Sequence, residues 1–104
     1  MKIGILLSGC GVFDGSEIQE TVLTMLAIEE AGFDYFCIGV NANQHHVINH
    51  TTGEEMNETR NMLTEASRIS RGEIVDIKNV QPVDLDALAF PNPPGITKAS
   101  KSTG

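Results

Sequence analysis

Two side chains near the start of this chain have the type and the place to do chemistry. Cys10 lies between Gly9 and Gly11, just past the aliphatic run Ile3–Leu7, and Glu17 stands where a helical pattern begins. A thiol beyond a strand end and beside a helix N-terminus meets backbone N–H groups that favour its thiolate, so Cys10 is a candidate nucleophile. A small residue filling a tight glycine turn accounts for the same position without chemistry, and no histidine lies near it in the sequence to act as its base. Glu17 falls at the carboxyl ends of the strands, where open α/β sheets place their ligands. A glutamate that merely complements the helix dipole has the same signature.

Other clusters carry weaker signals. Gly9-x-Gly11 after a strand has the start of a dinucleotide fingerprint, but Asp14 occupies the third glycine position, and a carboxylate there opposes a pyrophosphate. There is no GxxxxGK[ST] either. His45, His46 and His50 gather near Glu54 and Glu55, yet their spacing matches neither HExxH nor a helical i, i+4 pair, so no metal site is predicted. Glu29-Glu30 and Glu54-Glu55 read as solvated acidic faces. Cys37, inside the apolar run Tyr35–Val40, reads as core packing.

The elements that must position these residues follow from periodicity. Ile3–Leu7 is a continuous aliphatic run, the pattern of a strand covered on both faces in a parallel sheet. Ser16 and Gln19 have the spacing of a capping box, and Ile18, Val22, Met25 and Leu26 form an apolar stripe on the helix that Gly32 ends. Tyr35–Val40 supplies the second buried strand, so the opening is a strand–helix–strand unit and the fold class is α/β. Residues 46–56 predict a small β-hairpin outside the main sheet, turning at Gly53. Asn57 or Thr59 caps a second helix with Met62, Leu63, Ala66 and Ile69 on one side, and Gly72 stops it. Ile74–Ile77 reads as a short strand, Pro82–Leu85 as a turn or a single helical turn, and Asp86–Phe90 as a buried strand.

Composition narrows the function classes. The chain has 104 residues, 40% of them hydrophobic, and a net charge of −7. An acidic body repels phosphate backbones and anionic lipid heads, so neither nucleic acid nor membrane is expected as a partner. The apolar run at the N-terminus is too short for a signal peptide or a transmembrane helix, and two cysteines without CxxC spacing predict no disulfide framework, which places the chain in a reducing cytoplasm.

The stretch from Lys2 to Ile18, KIGILLSGCGVFDGSEI, resembles the N-terminus of the ElbB proteins, named for enhancing isoprenoid (lycopene) biosynthesis, within the class I glutamine amidotransferase-like or DJ/PfpI superfamily. The resemblance continues through Val47-Ile48-Asn49-His50-x-Thr52-Gly53-Glu54, Glu58-Thr59-Arg60-Asn61 and Arg68-Ile69-x-Arg71-Gly72-Glu73-Ile74, and it fades at Phe90. It implies a flavodoxin-like doubly wound parallel sheet, with residues 1–90 forming the N-terminal half of the domain. It also implies a cofactor-independent glyoxalase activity that converts small dicarbonyls to hydroxy acids. In that chemistry a thiolate attacks the aldehyde and a glutamate shuttles protons through the hemithioacetal, and Glu17 matches the glutamate position.

The nucleophile of the family lies downstream of a Pro-Gly-Gly loop. Here Pro91-Asn92-Pro93-Pro94 stands in place of that loop, and prolines cannot donate to an oxyanion. The expectation is therefore a truncated chain without the family thiol and with little activity by itself, Cys10 being the one loop thiol left. Residues 91–104 are rich in Pro, Ser, Lys and Gly, which predicts a disordered tail. The alternative is a non-catalytic module that forms a homo-oligomer or pairs with a full-length relative, because half a parallel sheet leaves edges and helix faces uncovered.

Overall fold

The computed structural model describes residues 1–91. Six strands and two helices occur in the order β1 (Lys2–Leu7), α1 (Ile18–Glu30), β2 (Asp34–Gly39), β3 (Ile48–Asn49), β4 (Glu54–Glu55), α2 (Met62–Ser70), β5 (Ile74–Asp76) and β6 (Ala87–Ala89), with short 3-10 turns at Ile77–Asn79 and Pro82–Asp84. The main sheet has the order β5-β2-β1-β6 and every pairing in it is parallel, with Ile5 opposite both Cys37 and Ala89. This is the expected α/β architecture, a flavodoxin-like parallel sheet, and the antiparallel hairpin β3–β4 stands apart from it as a second small sheet. The predicted tail lies, from residue 92 onward, outside the described residues.

Strand alternation sends Ile5, Leu7 and Cys37 to one face, where they meet Ile28 of α1 and Ala66 of α2; Met25, Ile69, Ile74 and Ala89 pack around this cluster. Ile5 and Leu7 are fully buried. The other face shows Leu6, Ile38 and Leu88, covered among the described residues by the segment from Ile77 to Leu85, which leaves a hollow of about 210 Å³ lined by Ile77, Pro82 and Leu85 as well.

Several expected boundaries and faces move. Ser16 does not cap α1: its hydroxyl accepts from Ser8 N–H at 2.9 Å and its own N–H donates to Ser8 O at 2.6 Å, which ties it across the mouth of the loop. Glu17 is the cap instead, accepting from Glu20 N–H at 2.7 Å. The stripe read along α1 is mostly solvent-facing, with Ile18, Val22 and Leu26 each close to half exposed. Thr21 and Ile28 form the buried side, and Thr21 is tolerated there because its hydroxyl donates to Glu17 O at 2.7 Å. The cap of α2 is Asn61, bonded to Thr64 N–H at 2.9 Å, rather than Asn57 or Thr59. Strands β5 and β6 are each shorter than expected, and Ile77 belongs to a 3-10 turn.

Candidate functional site

The loop between β1 and α1 is shaped by its glycines. Gly9 and Gly11 have left-handed backbones, and a Cβ at Gly15 would stand 2.6 Å from both Cys10 N and Ser8 O. No side chain fits there without moving main chain. Gly11 N–H donates to Ser16 O and Gly15 N–H to Gly11 O, each at 2.9 Å, so the loop folds on itself and delivers Glu17 to the start of the helix at the carboxyl end of β1.

Glu17 is partly exposed, with one carboxylate oxygen committed to capping. Cys10 is half-buried, and burial pushes its thiol above the ordinary value; Arg68 pulls it back, while Glu65 and Asp14 add to the rise. Cys37 is buried in the core as expected, its thiol pushed up to about 11, mainly by burial.

The three histidines do not form one cluster. His46 Nδ1 lies 2.7 Å from Glu55 Oε1 across the hairpin, whereas His50 turns toward the β1–α1 loop, with Nε2 3.3 Å from Phe13 N and 3.7 Å from Asp14 Oδ1. Among the described residues no three His, Cys, Asp or Glu side chains are arranged to hold a metal ion. Asp14 is the residue that sequence reasoning undervalued: it is nearly buried and accepts Ile48 N–H at 2.7 Å. Gln44 is another, its side chain donating to Asp14 O at 3.4 Å and to His46 O at 2.9 Å. The signal available for Asp14 was its position inside the Lys2–Ile18 stretch; Gln44 lies outside the stretches that carry the resemblance and had none.

No family model matches the chain. It is 39% identical over 98 residues to the human protein named glutamine amidotransferase-like class 1 domain-containing protein 3, mitochondrial, an alignment covering 93% of this chain and 37% of the human one. The zebrafish ES1 protein, mitochondrial, is 32% identical over 102 residues, covering 93% of this chain and 38% of that protein. The crystal structure of an isoprenoid biosynthesis protein with an amidotransferase-like domain from Ehrlichia chaffeensis superposes with a TM-score of 0.88 at 37% identity, covering 95% of this chain and 46% of that one. The chain is a homologue of the glutamine amidotransferase-like class 1 proteins.

It spans a little over a third of the length of these curated relatives. Gly9 N–H donates to Met62 O at 3.2 Å and Gln44 N–H to Arg60 O at 2.8 Å, which fasten the β1–α1 loop and the segment before the hairpin to the start of α2 and its approach. No helix among the described residues is long and apolar enough to cross a membrane.

Proposed function

We propose that this amidotransferase-like chain supplies the acid–base part of a glyoxalase-type site, with Glu17 as its proton-transfer residue. The substrate class is a small dicarbonyl such as glyoxal or methylglyoxal. A thiolate adds to the aldehyde carbon, the carbonyl electron pair moves to oxygen and is protonated, and the glutamate carries the proton from that carbon to its neighbour. One carbon is oxidised as the other is reduced, so no redox cofactor is needed, and water releases the hydroxy acid. The observation that supports this is Glu17 at the carboxyl end of β1, partly exposed and with one carboxylate oxygen held by its own helix.

The 104-residue polypeptide turns over dicarbonyls poorly by itself on this reading, because burial disfavours the thiolate form of both its cysteines. Dicarbonyl consumption by purified chain, compared with Glu17→Gln and with alkylated protein, tests it. Turnover that is rapid and unchanged by either treatment sinks it. Two free cysteines suit a reducing compartment, the cytoplasm included.

A second reading, a non-catalytic module that forms a homo-oligomer or joins a full-length relative, is favoured by the exposed Ile18, Val22, Leu23 and Leu26 on α1. Sedimentation distinguishes it: a concentration-independent monomer, alone and with such a relative, counts against it.

A further inference from the structure

The proposed chemistry leaves Asp14 and His50 unused, yet they join the two motif stretches. Asp14 is 7% exposed; its Oδ2 accepts Ile48 N–H at 2.7 Å, while Oδ1 is buried with no hydrogen-bond partner, 3.7 Å from His50 Nε2. His50 Nδ1 lies 3.0 Å from Ile48 O. A carbonyl only accepts, which assigns the proton to Nδ1, so in the neutral ring Nε2 is the acceptor for Phe13 N–H at 3.3 Å. The Phe13 ring stacks on the imidazole, with centroids 4.9 Å apart and planes 25° from parallel.

We propose that Asp14 and His50 form a proton-operated latch that positions the β1–α1 loop. With the ring neutral, Nε2 holds the loop through Phe13 N–H. When Nε2 takes a proton from solvent it becomes a donor, and two donors cannot share that contact. The nearest acceptor is then the unpartnered Oδ1 of Asp14, whose burial without a bond is costly and whose charge makes the new bond a strong one. Position 11 leaves room for this exchange: a Cβ there would stand 2.6 Å from Asp14 Oδ1 and 2.8 Å from His50 Nε2. The charged groups on the elements around the ring are Asp14 on the loop and Glu54 and Glu55 on β4, Glu55 being engaged with His46 at 2.7 Å. Among the described residues Asp14 alone forms an ion-pair contact with His50. The latch is a property of the loop and does not depend on the dicarbonyl reading.

Amide NMR of the 104-residue chain between pH 8 and 5, where imidazoles change charge, tests it. The Phe13 and Ile48 amide signals are expected to move in one step with the His50 ring protons. Phe13 hydrogen exchange, corrected for its intrinsic pH dependence, rises about tenfold as its acceptor is lost. His50→Gln keeps a polar side chain that does not titrate, and removes the step. Asp14→Asn still accepts from Ile48 but offers no charge, so amides 11–16 exchange several-fold faster at pH 5 than in the wild type. A Phe13 amide indifferent to the His50 titration, or a step that survives in His50→Gln, overturns the latch. If His50→Gln does not fold, Asp14→Asn decides: equal exchange at pH 5 in that variant and the wild type removes Asp14 from the device.

Discussion

The two faces of the parallel sheet are covered in different ways. One carries Ile5, Leu7 and Cys37 under α1 and α2, which bury Ile5 and Leu7 fully but part over β2 around an open hollow of about 970 Å³ lined by Met25, Cys37 and Ile69; the other carries Leu6, Ile38 and Leu88 under two 3-10 turns, with Leu88 44% and Val83 89% exposed. Helices lay a continuous apolar side against strands, whereas a segment with a proline and short turns touches them only at intervals. Cohesion of the described residues therefore resides on the helix-covered side, which is also the side from which α1 presents Glu17.

The sharpest way to break this contrast is to remove one side chain from each face. Ile5→Ala is expected to cost about 2–5 kcal/mol in denaturant unfolding, the range for a fully buried aliphatic, because the packed helices cannot close the void. Leu88→Ala, already half in water, is expected to cost about 1 kcal/mol. Equal losses would show the two faces to be equivalent.

Alkali probes the helix-covered face without a mutation. Burial raises the Cys37 thiol from an ordinary 9.0 to about 11 in the folded chain, so between those values the native state holds a proton that the unfolded state has released. Stability conferred by the neutral thiol is complete below pH 9 and is lost as pH rises toward 11. The unfolding midpoint should fall across that window, and Cys37→Ala should flatten the fall.

At the start of α1, Glu17→Ala removes the cap and should cost about 1 kcal/mol, whereas Glu17→Gln retains an acceptor for Glu20 N–H and should cost a few tenths. The pair separates the structural use of the carboxylate from the proposed catalytic one, which predicts that any dicarbonyl turnover disappears in both. The smallest effect is expected at Val83→Ser, within about 0.5 kcal/mol by thermal unfolding, because its side chain is already in solvent.

Much of this architecture was legible in the residues. Continuous aliphatic runs gave the buried strands, Gly53 the hairpin turn, and the alternation of strand and helix the parallel sheet. The inward side of α1 was not legible, because counting apolar residues selects Ile18, Val22 and Leu26, while the helix buries Thr21 with its hydroxyl satisfied by Glu17 O. The cap was missed for a related reason: Ser16 has the better capping side chain, but a backbone partner eight residues earlier claims it. Of the candidate site, the place of Glu17 was readable and the roles of Asp14 and Gln44 were not, since the contacts that join them to Ile48 and to each other span thirty residues or more.

Helix α2 is capped at its carboxyl end by Arg71, whose backbone is left-handed at φ 61°, followed by Gly72 at φ 86°. That pair reverses the chain tightly enough to lay β5 alongside β2. An L-residue with a side chain holds this conformation under strain of about 1 kcal/mol. Heat tolerance thus has room to rise through one codon, Arg71→Gly, at a bend that leaves the Glu17 helix untouched.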